Sequence, residues 1–151
     1  LPLDAHPTLG NNAQLARVLG NELGPVRFGE QSLGFVGERD SGSATALADH
    51  VAACLGRSVT LVAEPDRPVR RIALCTGGAQ GYFEAAIAAG ADAFITGEIS
   101  EPQAHYAREC GVAYIACGHH ASERYGAPAV AGQVARSLGL EHRFIDIPNP
   151  A

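Results

Sequence analysis

From residue 70 onwards, short apolar runs alternate regularly with amphipathic stretches. The apolar runs are RRIALC, DAFITG and VAYIACG, at residues 70–75, 92–97 and 112–118. Each has the length of a buried strand and is followed by glycine or other turn residues. The segments between them, YFEAAIAAG and SEPQAHYARECG, have helical spacing and end on glycine. This alternation predicts an α/β fold in which a mainly parallel sheet is flanked by helices.

Weaker signals of the same two kinds occur elsewhere in the chain. Further helices are predicted at residues 11–20, at 41–56 and in the two segments that follow Gly118, and further strands at 32–38, 59–64 and 142–148. Asn11 is the predicted cap of the first of these helices, and serines precede the second. In the last helix Pro128 occupies an early position, where the missing N–H costs nothing.

Composition and charge restrict the functional classes. Of the 151 residues, 46% are apolar and 18% are charged, which is ordinary for one soluble domain with a real core. The net charge of -5 and the lack of a basic cluster argue against a nucleic-acid-binding face. No apolar run is long enough to span a bilayer and no signal peptide is visible. Free cysteines fit a reducing cytoplasm, which is the location we expect.

The sulfur-containing residues add two expectations. The 4 cysteines form no CxxC pair, which favours free thiols, mostly buried, over a zinc site. The chain has no methionine, and its first residues, LPLDAHP, read as the middle of an element. Both features suggest that a longer protein extends beyond Leu1 and that a site shared with that part looks incomplete here.

Polar groups follow three consecutive predicted strands. Gly77 and Gly78 come after IALC, Glu98 after DAFIT, and His119 after YIAC. Because ligands bind outside the carboxyl ends of strands in α/β sheets, these groups are expected to converge at one edge. This convergence is the strongest indication of a site that the residues themselves provide.

The stretch GHHASERYG contains a candidate metal site. His119 and Glu123 are four apart, so on a helix they share a face, and His120 and Glu123 are almost as well placed. A mixed nitrogen and oxygen ligand set suits zinc, iron, manganese or nickel better than calcium. A His–Glu hydrogen bond or a solvated helix face explains the same spacing, and such pairs are common on helix surfaces.

Other candidates are ambiguous. The glycines of TGGAQG, Gly77 and Gly78, expose backbone N–H groups that could hold an anionic group or cofactor phosphate, or they serve only a tight turn. Glu98 and His105 are candidates for catalytic proton transfer, or are ordinary surface side chains. Asp4, in LPLDAHP, is either a ligand at a strand end or a turn residue.

Several of these segments together resemble a known family. LPLDAHPTLGNNAQLA, CTGGAQGYFEAAIAAGADAFITGEISE, GHHASERYG and the ending FIDIPNP occur in the same order in the Nif-three-like family (NGG-interacting-factor-three-like). The resemblance covers the chain from its first residue to its last. Bacterial members are often named GTP cyclohydrolase 1 type 2 homologues.

The resemblance implies a Nif-three-like α/β fold with two similar, interlocked domains, a centre of two divalent metal ions, and toroidal homohexamers. It implies Asp4, His119 and Glu123 as metal ligands, with His120 a neighbour of the site. In the family a His-His pair that completes the centre precedes the LD-x-H segment. The resemblance therefore makes residues 1–151 the C-terminal part of a larger protein, with an incomplete metal set.

Two functions from different classes follow. The first is a metal-dependent hydrolase acting on a nucleotide or a related phosphorylated, anionic small molecule; the GTP label comes from the resemblance alone. The second is a metal-binding hexameric assembly or regulatory protein with little turnover. A nucleotide-binding module without metal, resting on TGGAQG, is a weaker third. Turnover that a chelator abolishes separates the first from the second, and nucleotide affinity that survives chelator favours the third.

Overall fold

The computed structural model of the chain describes residues 3–151. Within them lie six strands and six α-helices. The strands are β1 Val26–Phe28, β2 Gly34–Glu38, β3 Thr60–Val62, β4 Arg71–Leu74, β5 Ala93–Thr96 and β6 Ala113–Ala116. The helices are α1 Asn11–Val18, α2 Ala44–Leu55, α3 Phe83–Ala88, α4 Glu101–Cys110, α5 His119–Glu123 and α6 Gly126–Leu138.

Helix α2 shows how the local signals in the sequence determine an element. The Ala46 N–H donates to Ser43 Oγ at 3.1 Å, so the serine caps the first turn as predicted. Gly56 ends the helix in the left-handed region, with φ of 65°, where a side chain would be strained. At the start of α4, Ser100 has the extended backbone of a cap, but its side chain makes no capping hydrogen bond.

The sheet has the strand order β1-β2-β4-β5-β6-β3. Parallel pairing, as predicted, joins β4 to β5 and β5 to β6. The pairs β1–β2, β2–β4 and β6–β3 are antiparallel, so the sheet as a whole is mixed rather than mainly parallel. The short connection from β1 to β2 allows only an antiparallel pair, because parallel neighbours need a crossover of a dozen or more residues.

Residues 140–151, called the C-terminal segment below, have no regular secondary structure. The strand predicted at 142–148 is therefore wrong. Its alternating apolar residues match a strand pattern, but no described strand pairs with it, and the sheet ends at β3 on one side and β1 on the other. Alternation of apolar and polar residues shows only that a segment favours the extended conformation. To form a strand, the segment also needs a neighbouring strand with which to exchange hydrogen bonds.

The core lies on both faces of the sheet, because successive strand residues point to opposite sides. On one face, Ile95 and Ile115 pack with Leu47 and Val51 of α2. On the other face, Phe94 and Tyr114 pack with Phe83 of α3, and the rings of Phe83 and Tyr114 meet edge to face at 4.8 Å between centroids. The central strands are covered on both faces, which fixes the positions of their ends.

Two further expectations can be compared with the structure. The 4 cysteines of the sequence are all free. Cys75 and Cys117 are buried, whereas Cys110 is exposed. Among the helices of residues 3–151, none has the length and apolar character needed to cross a membrane.

Candidate functional site

The three turns that follow β4, β5 and β6 lie side by side, as the strand order predicts. The Gly97 N–H donates to the Gly77 carbonyl oxygen, and the Gly118 N–H donates to the Gly97 carbonyl oxygen, both at 2.9 Å. We call residues 75–78, 96–98 and 117–123 the carboxyl edge. The convergence expected from the sequence is thus present, and backbone hydrogen bonds hold it together.

Two glycines of the carboxyl edge are needed for close approach. Gly77 has φ of 70°, and a methyl group at this position would overlap the Glu123 carboxylate. A methyl group on Gly97 would lie 2.7 Å from both the Gly77 carbonyl oxygen and the His119 Cα atom. Their absent side chains therefore allow helix α5 to pack directly against the neighbouring turns.

Helix α5 presents the candidate metal ligands. It begins at His119, immediately after β6 and Gly118. Ser122 Oγ accepts a hydrogen bond from the Gly77 N–H and donates one to the His119 carbonyl oxygen, both at 2.9 Å. His119 and Glu123 lie one turn apart on the same face, with 3.2 Å between Nε2 and Oε2. The shared face predicted from their spacing is confirmed.

Glu98 approaches the same histidine from the end of β5. Its Oε1 lies 2.6 Å from His119 Nδ1, and its Oε2 accepts a hydrogen bond from Gln80 at 3.1 Å. The Tyr114 hydroxyl donates to the Glu98 carbonyl oxygen at 2.7 Å and fixes the backbone there. The hydrogen bond from His119 lowers the pKa of Glu98, and the same bond raises the pKa of His119. Glu98 therefore orients the imidazole of His119, and the Nε2 atom of that ring is directed at Glu123.

Asp4 faces the same cavity as the α5 pair. A cavity of about 470 Å³ is lined by Asp4, Thr76, Gly78, His119 and Glu123, among other residues. The Asn11 side-chain amide donates to Asp4 Oδ1 at 2.8 Å. Burial raises the pKa of the Cys75 thiol to about 12, with smaller contributions from the carboxylates of Asp4 and Glu123. The three residues assigned to metal by resemblance therefore border one space.

The described residues do not by themselves form a complete set of metal ligands. Within residues 3–151, no group of three or more His, Cys, Asp or Glu side chains comes close enough together to hold an ion. The pair His119–Glu123 supplies one imidazole nitrogen and one carboxylate, a donor set that fits a divalent transition metal. Asp4 borders the same cavity as this pair.

Sequence reasoning missed the role of two asparagines. Asn12 is fully buried; its Oδ1 accepts from the Thr76 N–H at 2.7 Å and its Nδ2 donates to the Leu33 carbonyl oxygen at 2.9 Å. The Asn11 Oδ1 accepts from the Gly126 N–H at 2.7 Å. The predicted cap at Asn11 is wrong, because Gly10 is the N-cap and no side chain caps α1. Asparagine has a low helix propensity, so two adjacent asparagines inside a helix are unfavourable unless their side chains bond elsewhere in the fold. This pair in the sequence is therefore a signal of long-range hydrogen bonds.

Two other predicted site residues lie in different surroundings. His105, on α4, has a side chain that is 66% exposed, and its Nε2 is 3.9 Å from Glu101 Oε1. It lines neither of the two cavities that His119 borders. The Gly77 N–H is already bonded to Ser122, whereas Gly78 is exposed and lines the cavity with Asp4. An anionic group bound at this turn would therefore meet Gly78 rather than the Gly77 N–H.

Comparison with known proteins agrees with these motifs. The family model Duf34/NIF3 (NGG1p interacting factor 3) matches residues 1–150. Proteins named "GTP cyclohydrolase 1 type 2 homolog" from Pseudomonas aeruginosa and Neisseria meningitidis serogroup A are 52% and 51% identical to the chain. Both alignments cover 100% of this chain and 61% of the relative. The chain thus spans about three-fifths of the length of these relatives.

Solved structures show the same fold. The chain resembles the structural-genomics protein ybgI with a TM-score of 0.90 and 45% identity, over 99% of this chain and 60% of that one. It resembles TTHA1606 from Thermus thermophilus with a TM-score of 0.79 and 28% identity, over 100% of this chain and 60% of that one. Together, the family match over nearly all residues, the sequence identities and these likenesses show that the chain belongs to the Duf34/NIF3 family.

Proposed function

We propose that the chain supplies part of a two-metal centre and that the complete protein is a metal-dependent hydrolase. The observation that carries the proposal is the arrangement of Asp4, His119 and Glu123 around one cavity at the carboxyl edge. In α/β sheets, that edge is where ligands bind. The remaining ligands would come from outside residues 1–151, in line with the resemblance and with the 61% coverage of the relatives.

The donor atoms suit two divalent ions chosen among zinc, iron, manganese and nickel. Such ions, when bound, lower the pKa of a bound water and polarise the bond that it attacks. Glu98 would act on His119 as an outer carboxylate does on a metal-binding histidine, fixing the ring orientation and the tautomer. Glu98 is also our candidate for proton transfer, since it borders the site. The proposal gives His105 no role, because its side chain is exposed beside Glu101.

The proposed substrate is a nucleotide or a related phosphorylated small molecule. The cavity of about 470 Å³ has the size of small-molecule sites. The name carried by the relatives, "GTP cyclohydrolase 1 type 2 homolog", directs the first assays to GTP. The exposed turn at Gly78 borders this cavity, where it could contact an anionic group of the substrate.

We further propose that the complete protein is cytoplasmic and assembles as a homohexamer, as the resemblance implies. The exposed apolar side chains of Val134, Leu138 and Leu140, at the end of α6 and just beyond it, support an assembled state. Apolar side chains that adjoin one another on a surface are typical of contacts between subunits.

Metal analysis tests the proposed function. In a protein of the relatives' full length, His119→Ala and Glu123→Ala should each lower the bound metal measured by elemental analysis. His120→Ala is the matched control, since it changes the adjacent histidine and should leave metal content close to unchanged. Unchanged metal in both the His119 and the Glu123 variants would refute the site.

The same protein separates hydrolysis from the assembly alternative. Nucleotide turnover that disappears with chelator and returns with metal supports the hydrolase. A protein that holds metal and forms hexamers, but does not turn over nucleotides or related phosphate esters, would instead favour the assembly or regulatory function.

A further inference from the structure

The turn that carries Asp4 packs against the start of helix α1. The His6 N–H donates to the Leu3 carbonyl oxygen at 3.0 Å, and the Gly10 N–H donates to the His6 carbonyl oxygen at 3.1 Å. A methyl group on Gly10 would lie 2.7 Å from the Asp4 carbonyl oxygen, so the absent side chain allows the turn to lie directly on the helix start. These contacts fix the backbone of Asp4, whereas the direction of its carboxylate depends on side-chain bonds.

Asn11 connects this carboxylate to the chain that follows helix α5. Its Nδ2 donates to Asp4 Oδ1 at 2.8 Å, and its Oδ1 accepts from the Gly126 N–H at 2.7 Å. Gly126 is the first residue of α6 and follows Glu123 by three positions. Asn11 is only 9% exposed, so water competes little for either bond. One side chain thus joins the Asp4 carboxylate to the backbone close to the other candidate ligands.

The two bonds together require a side-chain amide at position 11. An amide has a donor and an acceptor on one planar group. If the amide were turned round, its oxygen would face the Asp4 carboxylate and its NH2 group would face the Gly126 N–H, and both contacts would be repulsive. An aspartate would keep the bond from Gly126 but would place a second carboxylate against Asp4. The two neighbours therefore favour asparagine and fix the orientation of its amide.

Metal ligands on separate elements must be held close to their bonding geometry. Asp4 precedes α1, whereas His119 and Glu123 lie on α5, far along the chain. Hydrogen bonds from neighbouring residues to the ligands provide such orientation in metal sites. Glu98 makes a bond of this kind to His119 Nδ1. The bond from Asn11 to Asp4 Oδ1 has the same relation to a candidate ligand on the opposite side of the site.

We propose that Asn11 is a positioning residue of the metal centre. By holding the Asp4 carboxylate beside the start of α6, it sets the place of Asp4 relative to the His119–Glu123 pair before metal binds. A ligand that is already oriented loses less conformational freedom on binding, so the metal affinity rises. The inference rests on the proposed function, because it assigns Asp4, His119 and Glu123 to metal.

The zinc affinity of a protein of the relatives' full length tests this role. Asn11→Ala should weaken Zn²⁺ binding about tenfold, as loss of an outer hydrogen-bonding partner of a ligand does, measured by competition with a chelator of known affinity. Val51→Ala is the matched control, since Val51 is fully buried but lines neither cavity that His119 borders. It should also lower the melting temperature, but change the zinc affinity less than twofold. Equal weakening in the two variants would overturn the inference.

Gly126→Ala reaches the same contact from the other side and leaves Asn11 and Asp4 unsubstituted. Its methyl group would lie 2.5 Å from Asn11 Oδ1, so the amide must move. Zinc binding should therefore weaken about fivefold. Gly132→Ala, on the same helix, is the control, because its methyl group would have its nearest neighbour at 3.4 Å, and it should change the affinity less than twofold. If Asn11→Ala does not fold, this pair decides, and equal affinities in the pair would overturn the inference.

A double-variant comparison separates positioning from a general structural role. In a protein that carries Asp4→Asn, the further substitution Asn11→Ala should weaken zinc binding less than twofold, because the carboxylate that Asn11 orients is absent. A tenfold loss in both backgrounds would show that Asn11 acts independently of Asp4 and would overturn the inference. If Asp4→Asn abolishes zinc binding, the comparison of Asn11→Ala with Val51→Ala decides.

Failure of this inference can be distinguished from failure of the proposed function. A full-length protein that binds no zinc, or whose zinc binding is unchanged by His119→Ala and Glu123→Ala, would refute the proposed function. Zinc binding that these two substitutions weaken, but that Asn11→Ala and Gly126→Ala leave unchanged, would refute the positioning role alone.

Discussion

The carboxyl edge and the C-terminal segment both border the candidate site, but they are held in place differently. In the edge, buried backbone N–H groups are bonded by Asn12 and Ser122, and glycines allow the turns to touch. The segment depends on partly exposed charged side chains such as Arg124 and Asp146. Substitutions in the carboxyl edge should therefore lower the free energy of unfolding. Substitutions in the C-terminal segment should change it little, because exposed ion pairs contribute little to stability.

The largest expected contrast concerns thiol reactivity. Burial is the main reason that the pKa of Cys75 and of Cys117, both in the carboxyl edge, is raised to about 12. Near pH 8 their thiolate fraction is then about a thousandfold below that of an ordinary thiol, and only the thiolate reacts. We expect iodoacetamide to modify the exposed Cys110 first, as peptide mass spectrometry would show. Comparable early labelling of Cys75 or Cys117 would mean that the edge opens readily.

A glycine substitution should produce the next largest effect. Gly77→Ala should lower the free energy of unfolding by about 2 kcal/mol, since it adds left-handed strain and displaces the flexible Glu123 carboxylate from its place beside His119. Gly56→Ala is the control: Gly56 has a similar φ of 65°, but nothing lies within 4 Å of an added methyl group. That variant should lose only about 1 kcal/mol. Equal losses in urea titrations of the two proteins would show that close packing against α5 contributes nothing.

Elements with local signals were predictable from the sequence. Helix α2 was found because Ser43 and Gly56 mark its ends by short-range hydrogen bonding and backbone geometry. His119 and Glu123 were found because a spacing of four residues fixes a shared helix face. Strand β1 was missed, since two of its three residues are exposed and it shows no apolar run.

Long-range contacts were not predictable in this way. The bond from the Thr76 N–H to Asn12 joins residues 64 positions apart, and the bond from the Gly126 N–H to Asn11 joins residues 115 apart. No pattern within a window of the sequence encodes these pairs. The approach of Glu98 to His119 likewise depends on the pairing of β5 with β6, although the strand ends themselves were correctly placed.

The buried asparagine gives a third prediction. Asn12→Ala should lower the free energy of unfolding by about 2 kcal/mol, because the Thr76 N–H and the Leu33 carbonyl lose their partner inside the protein. The better helix propensity of alanine offsets part of the cost. Asn149→Ala, in the exposed C-terminal segment, should change stability by less than about 0.5 kcal/mol. A similar loss of unfolding free energy in both variants would show that the carboxyl edge and the C-terminal segment contribute equally to stability, contrary to our comparison.

The smallest expected change in stability comes from a substitution in the C-terminal segment. Asp146→Asn should change the free energy of unfolding by less than about 0.5 kcal/mol, because exposed ion pairs contribute little. The Asp146 side chain is 49% exposed and that of Arg124 is 28% exposed, so water screens the pair. Asparagine also keeps one oxygen that can accept from Arg124. Urea titrations at low and high salt should therefore nearly superimpose for the two proteins. A loss above about 1.5 kcal/mol would show that the segment folds cooperatively with the carboxyl edge, since an ion pair this exposed cannot account for so large a change.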